Sequence, residues 1–206
     1  MTSTPQPKAR KKRKLPKIIS PEEAGRLMAY AARGEEGPRN RLMLELMYRA
    51  GLRVSEVVAL QPGDVERDGV IHLYDAKGGD GTAYFDEALV PILDRWLTLR
   101  KSWGAVGDKG LLFIRRDGQP ITVRYIQRFV KRLKSDVGIP DNRKLTPHVL
   151  RHTYATELIE EGVPIHEVQR AMRHANLATT EVYLHVRDET LRKKLSHRGR
   201  EEVKST

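Results

Sequence analysis

His148 and Arg151 stand three residues apart in the segment LTPHVLRHTYATELIEEG, residues 145–162. On a helix that spacing puts both side chains on one face, one turn apart. An arginine there offers a planar fork of donors that matches the oxygens of a phosphate, as the point charge of a lysine does not. Downstream, RHANLATTEVYLHV (173–186) adds His174 and Tyr183. Upstream, GLRVSE (51–56) adds Arg53 and AKGGDG (76–81) adds Lys77. Together these residue types can hold a phosphodiester and attack it through a side-chain oxygen without a metal. Taken alone, the His148–Arg151 pair reads more readily as a solvated helix face. HVLRH also spaces His148 and His152 as a zinc-protease helix would, but Val149 stands where that motif needs its general-base glutamate. The chain has no cysteine, and neither a metal nor a cofactor is expected.

The elements that must position these residues are mostly helical. Ser20-Pro21-Glu22-Glu23 reads as a capping box with proline in the first turn, starting a helix to about residue 33. Gly34 and Gly37-Pro38 break it, and a second helix follows over 39–50, ended by Gly51. A short third helix covers 54–60. The period then changes. Residues 69–76 and 82–85 read as two strands of a hairpin whose glycine-rich tip holds Lys77. Helical spacing returns over 86–102, and short extended runs at 111–114 and 120–121 flank the turn Asp117-Gly118. Thr122 caps a basic amphipathic helix to about residue 137. Thr146-Pro147 starts the helix of His148 and Arg151, which stops at Gly162. Pro164 starts another, a short helix over 180–184 carries Tyr183, and a charged helix covers 187–198. The fold expected is mostly α (α+β), with a small antiparallel sheet on one side.

The formal net charge of the 206-residue chain is +11, which favours a polyanionic partner. Seven basic and no acidic side chains fall in residues 1–17, so most of the excess sits there. We read 1–17 as a disordered basic tail in which Lys8, Arg10, Lys11, Lys12, Arg13 and Lys14 meet nucleic acid. The domain proper spans 18–198, and 199–206 is a C-terminal tail. No apolar run is long enough to span a membrane and no secretory signal follows the basic start, so a cytoplasmic protein is expected.

GLRVSE, the hairpin lysine, HVLRHTYATELIEEG and RHANLATTEVYLHV, in this order and spacing, resemble the tyrosine recombinase (phage integrase) family from about residue 18 to 198. The resemblance implies a catalytic set of Arg53, Lys77, His148, Arg151, His174 and Tyr183, with Tyr183 the nucleophile. It implies cleavage and rejoining of double-stranded DNA through a covalent 3′-phosphotyrosine, without metal or ATP. It further implies a monomer when free and a tetramer on two duplexes, with the last helix docking on a neighbouring subunit. Two other readings stay open: DNA relaxation of the type IB topoisomerase kind, and a DNA-binding regulator that keeps the fold.

Several residues depart from the pattern or compete with it. Arg173 stands where the family usually has glycine, a place where a charged side chain changes the backbone or adds a phosphate contact. Asp80 and Thr82 replace a further basic residue after Lys77. Only the basic tail precedes Ser20, where most members carry a core-binding domain. The chain in this respect resembles the short fimbrial phase-variation recombinases, and an accessory DNA-binding protein or the tail would complete the grip on DNA. Tyr154 lies close to Arg151, but its apolar neighbours Ala155 and Leu158 mark it as a core aromatic. His152 and His185 are read as phosphate contacts or as packing and support, and His72 and His197 as surface residues.

Overall fold

The structure, a computed structural model, describes residues 18–74, 79–103 and 110–173. The basic tail, Lys77, His174, Tyr183, the helices expected over 180–184 and 187–198, His185, His197 and the C-terminal tail lie outside the described residues.

Helix α1 (Pro21–Ala31) opens with the expected capping box. The Ser20 hydroxyl accepts from the Glu23 N–H at 3.2 Å, and the Glu23 carboxylate accepts from the Ser20 N–H at 2.9 Å. Helix α2 (Gly37–Arg49) starts two residues before the sequence reading placed it. Gly37 and Pro38 form its first turn instead of a break, because the proline's missing N–H would have no helical partner there. Only glycine fits at 37, since a Cβ would stand 2.0 Å from the Ala32 carbonyl oxygen.

Helix α2 is the centre of the fold, packing against α1, α3 (Val54–Ala59), α4 (Val90–Ser102) and α6 (Pro147–Glu161). Leu42, Met43, Leu44, Leu46 and Met47 are all buried, so this helix is apolar around most of its circumference, as an interior helix must be. Its one fully buried cation, Arg39, is satisfied on every side. The guanidinium donates to Ile114 O at 3.0 Å, to Asn40 Oδ1 at 2.9 Å, to Tyr125 Oη at 2.6 Å and to Glu36 at 2.7 Å. It thereby ties residues 114 and 125 to the central helix.

The sheet is a two-stranded antiparallel pair, β1 (Val70–Leu73) and β2 (Gly81–Tyr84), with Val70 opposite Tyr84 and Leu73 opposite Gly81. Ile71, Leu73 and Ala83 face the core. Strand β1 stops at Leu73, short of the β-forming run expected over 69–76, and β2 keeps the expected length but starts one residue before 82–85. The helix expected from 86 divides in two: a 3₁₀ turn at Glu87–Leu89, capped by Asp86, precedes α4 with Pro91 in the latter's first turn. The extended runs around Asp117-Gly118 form no ladder, only one bridge between Ile114 and Pro120.

Helix α5 (Val123–Asp136) is capped by Thr122 as expected. It buries Ile126, Phe129, Val130 and Leu133 and turns Arg124, Arg128, Lys131 and Arg132 outward. Helix α6 begins at the Thr146 cap and ends at Gly162, whose φ of 98° is left-handed, a conformation that costs glycine nothing. Helix α7 (Ile165–Ala171) packs back on α6.

Candidate active site

Two turns bring the site together. The first is Gly51-Leu52-Arg53, between α2 and α3. Gly51 sits at φ 60°, and a Cβ there would lie 2.4 Å from Cδ1 of Tyr154. The ring of Tyr154 therefore lies directly on the glycine, seating the α2–α3 turn against α6. Tyr154 also packs beside the small core of Ala155, Ile159, Val168 and Met172. Burial raises its pKa above the ordinary phenol value, with the charges of Arg173 and Arg151 opposing. A core role for Tyr154 follows. The second turn is Met172-Arg173, at the exit of α7.

Arg53 is the residue before α3, and its backbone N–H donates to the Glu56 carboxylate at 2.6 Å. Its Nη1 donates to the same carboxylate at 2.6 Å, and its Nη2 to the carbonyl oxygen of Arg173 at 2.8 Å. Arg151, on the buried side of α6, donates through Nη1 to Gly51 O and through Nη2 to Met172 O. Its Nη1 lies 3.7 Å from Glu56. Two arginines remote in sequence thus converge on one carboxylate, and each also holds a carbonyl of the 172–173 turn. His148, one turn before Arg151 on α6, is exposed at the helix start.

Glu56 organises this cluster, and its role was not drawn from the sequence. Burial pushes its carboxyl up, but the charge of Arg173 and the hydrogen bonds from Arg53 and Arg173 outweigh that and hold it below the ordinary value. It is therefore ionised at neutral pH. The available signal was its place three residues after Arg53, the spacing at which a carboxylate reaches back over the start of a helix. Arg173 also joins the cluster, donating through Nη2 to Glu56 at 2.8 Å.

His152, next to Arg151, is half-buried. Burial lowers its pKa, helped by His148 and Arg151, so it is neutral at pH 7. A neutral, half-buried imidazole fits the supporting reading. His72 pairs with Glu66 at 2.6 Å on the surface, as expected of it. Among the described residues no three His, Asp or Glu side chains group so as to hold a metal ion.

Comparisons with known proteins place the family and the fold. The phage integrase family model matches residues 17–190. The tyrosine recombinase XerC of Corynebacterium glutamicum is 34% identical over 182 residues, covering 87% of this chain and 58% of its own length. The chain thus spans less than two thirds of that relative. The crystal structure of XerA recombinase superposes with a TM-score of 0.77 at 30% identity, over 90% of this chain and 66% of its own. The XerH site-specific recombinase, bound to a palindromic difH substrate after cleavage, superposes with a TM-score of 0.74 at 26% identity. That match covers 89% of this chain and 53% of the other. With a family model running through every described element, and a fold shared along nine tenths of its length, this chain belongs to the phage integrase family.

Proposed function

We propose that the chain is the catalytic part of a site-specific DNA recombinase, which breaks and rejoins double-stranded DNA through a covalent 3′-phosphotyrosine. The observation that carries this reading is the meeting of Arg53 and Arg151 on buried Glu56, with His148 exposed one turn away. Paired guanidinium groups held by a buried carboxylate suit the two non-bridging oxygens of a phosphodiester. The relatives' own names and the DNA-bound XerH structure support the substrate class.

The roles follow from the chemistry of each group. Tyr183 loses its proton to His148 and its oxygen bonds to phosphorus, while the bond to the 5′-oxygen breaks in line. Lys77 supplies a proton to that departing oxygen. Arg53 and Arg151 stabilise the charge gathering on the non-bridging oxygens, and His174 adds a hydrogen bond. The ester is conserved, so religation runs the same steps backwards without ATP. The outward basic row of α5, Arg124, Arg128, Lys131 and Arg132, together with residues 8–14, contacts the phosphate backbone. Recombination of two duplexes is carried out by four copies, with the site built separately in each.

Covalent capture tests this. Wild type incubated with duplex DNA should give a denaturant-stable adduct, and Tyr183→Phe should bind DNA but give none. Tyr154→Phe should still form it. A persistent adduct in the Tyr183 variant would remove the nucleophile assignment. Relaxation of a supercoiled plasmid with no recombinant product from paired sites would favour topoisomerase action over recombination.

A further inference from the structure

Arg173 closes α7 with φ of 49°, the only positive φ outside glycine among the described residues. Left-handed backbone is strained for a residue with a Cβ and costs glycine almost nothing. The side chain shows what arginine does there. Its Nη1 donates to Ala171 O at 3.0 Å, and its Nη2 to Glu56 at 2.8 Å and to Gly51 O at 3.4 Å. Its stem lies against the start of β2, where a Cβ on Gly81 would stand 3.2 Å from Arg173 Cδ. Its Nε is buried without a hydrogen-bond partner among the described residues. Arg173 therefore sits where the two arginine-bearing elements and the base of the hairpin meet.

Formal charge balance at Glu56 does not require it, because Arg53 already pairs with that carboxylate at 2.6 Å and Arg151 lies 3.7 Å from it. Three guanidinium groups around one carboxylate leave this group of side chains with a formal charge of +2. The four side chains are between 4% and 22% exposed, so the excess is poorly hydrated. An excess of buried like charge costs a fold stability unless something neutralises it.

We propose that Arg173 is a positioning residue of the phosphate site, whose guanidinium, held on Glu56, raises the cluster to a charge that matches the transition state of phosphoryl transfer. This rests on the recombinase reading above. The phosphodiester carries one negative charge. Once Tyr183 has given its proton to His148 and its oxygen has bonded to phosphorus, the five-coordinate species carries two. The bond to the 5′-oxygen then breaks, and that oxygen takes a proton from Lys77. A third guanidinium is therefore felt more strongly in the transition state than in the bound ground state. Its contribution appears in rate and not in affinity.

The test compares wild type, Arg173→Gly, Arg173→Lys and Arg173→Gln on a duplex isolated from a randomised pool by covalent capture on the wild-type chain. Glycine suits the backbone at this position, so Arg173→Gly should melt at or above the wild-type temperature. Its single-turnover cleavage should be slower by roughly 10²-fold, with Kd for the duplex changed less than about threefold. Arg173→Lys, which keeps the charge, should recover most of the rate. The decisive comparison is Arg173→Gln, which keeps a hydrogen-bonding side chain without the charge and should stay as slow as Arg173→Gly. Recovery by Arg173→Gln as complete as that by Arg173→Lys would mean a structural role and overturn the proposal, as would unchanged cleavage by Arg173→Gly or an affinity loss matching the rate loss. If wild type captured no member of the pool, the recombinase reading would fall and this inference with it. Capture by wild type with no effect of Arg173→Gly would remove this inference alone.

Discussion

Glu56 is held by three arginines yet is itself almost inaccessible, and its titration should be visible in the stability of the protein. Its folded pKa lies below its unfolded value of 4.5. The stabilisation is therefore complete above pH 4.5 and is lost as the pH falls through the lower folded value. Glu56→Gln should cost about 3–5 kcal/mol at pH 7, because it leaves buried guanidinium groups without their counter-charge. Urea unfolding should show the gap to wild type narrowing below pH 4.5; a gap independent of pH would mean that the carboxylate's charge is not what stabilises the cluster. Lys77, proposed as the general acid, makes a different kind of prediction. Lys77→Ala should slow cleavage of ordinary DNA by roughly 10²–10⁴-fold, since an alkoxide leaves poorly without a proton. Sulfur at the bridging 5′ position leaves readily as thiolate, so that substrate should be cleaved by the variant at nearly the wild-type rate. Arg151→Ala should gain far less from sulfur, and equal rescue of both variants would refute the separate roles.

Helix α6 is where local chain chemistry and the site meet most directly. Its first turn is set by the Thr146 hydroxyl, which accepts from the Val149 N–H at 3.4 Å, and by Pro147 at the start. His148 lies inside that turn and Arg151 just beyond it. Thr146→Ala should lower stability by about 1 kcal/mol, the usual value of a lost N-cap. It should also slow cleavage by loosening the turn that aims His148. Thr146→Ser, which keeps the cap, should restore both; a serine variant as slow as the alanine variant would separate the cap from the site. The α2–α3 turn is less forgiving. Gly51→Ala drives a Cβ into the Tyr154 ring at a φ of 60°, so its loss of stability should exceed the Thr146 effect in the same unfolding assay.

At the scale of the whole molecule, the charge has two separate parts. Helix α5 presents a rigid basic row, and residues 1–17 hold seven further basic groups. Deleting 1–17 should weaken binding to all DNA sequences by similar factors, because a cationic arm meets phosphates and not bases. Each lost phosphate contact should reduce the magnitude of the log–log salt slope by roughly 0.9. An unchanged slope would show that the arm does not touch DNA. Charge-neutralising substitutions at Arg124, Arg128 and Lys131 should reduce the slope in the same way.

Much of this architecture was legible in the chain itself. Ser20, Thr122 and Thr146 announce three helices through their caps, and Gly162 ends one, because capping and left-handed glycine are local effects that need no tertiary partner. The strands at 70–73 and 81–84 were recognisable by residue type, but their ends were not, since only pairing with the other strand decides where a ladder stops. Gly37-Pro38 was misplaced for a related reason. The pair can end one helix or open the next, and the close approach of the Ala32 carbonyl selects the second. Arg53, His148 and Arg151 could be singled out by type and spacing. That Arg53 and Arg151 share Glu56, and that Arg173 reaches the same carboxylate, could not. Those contacts join α3, α6 and the end of α7 through space, and the buried charge balance they create exists only once α2 has gathered α3 and α6 and α7 has packed back on α6.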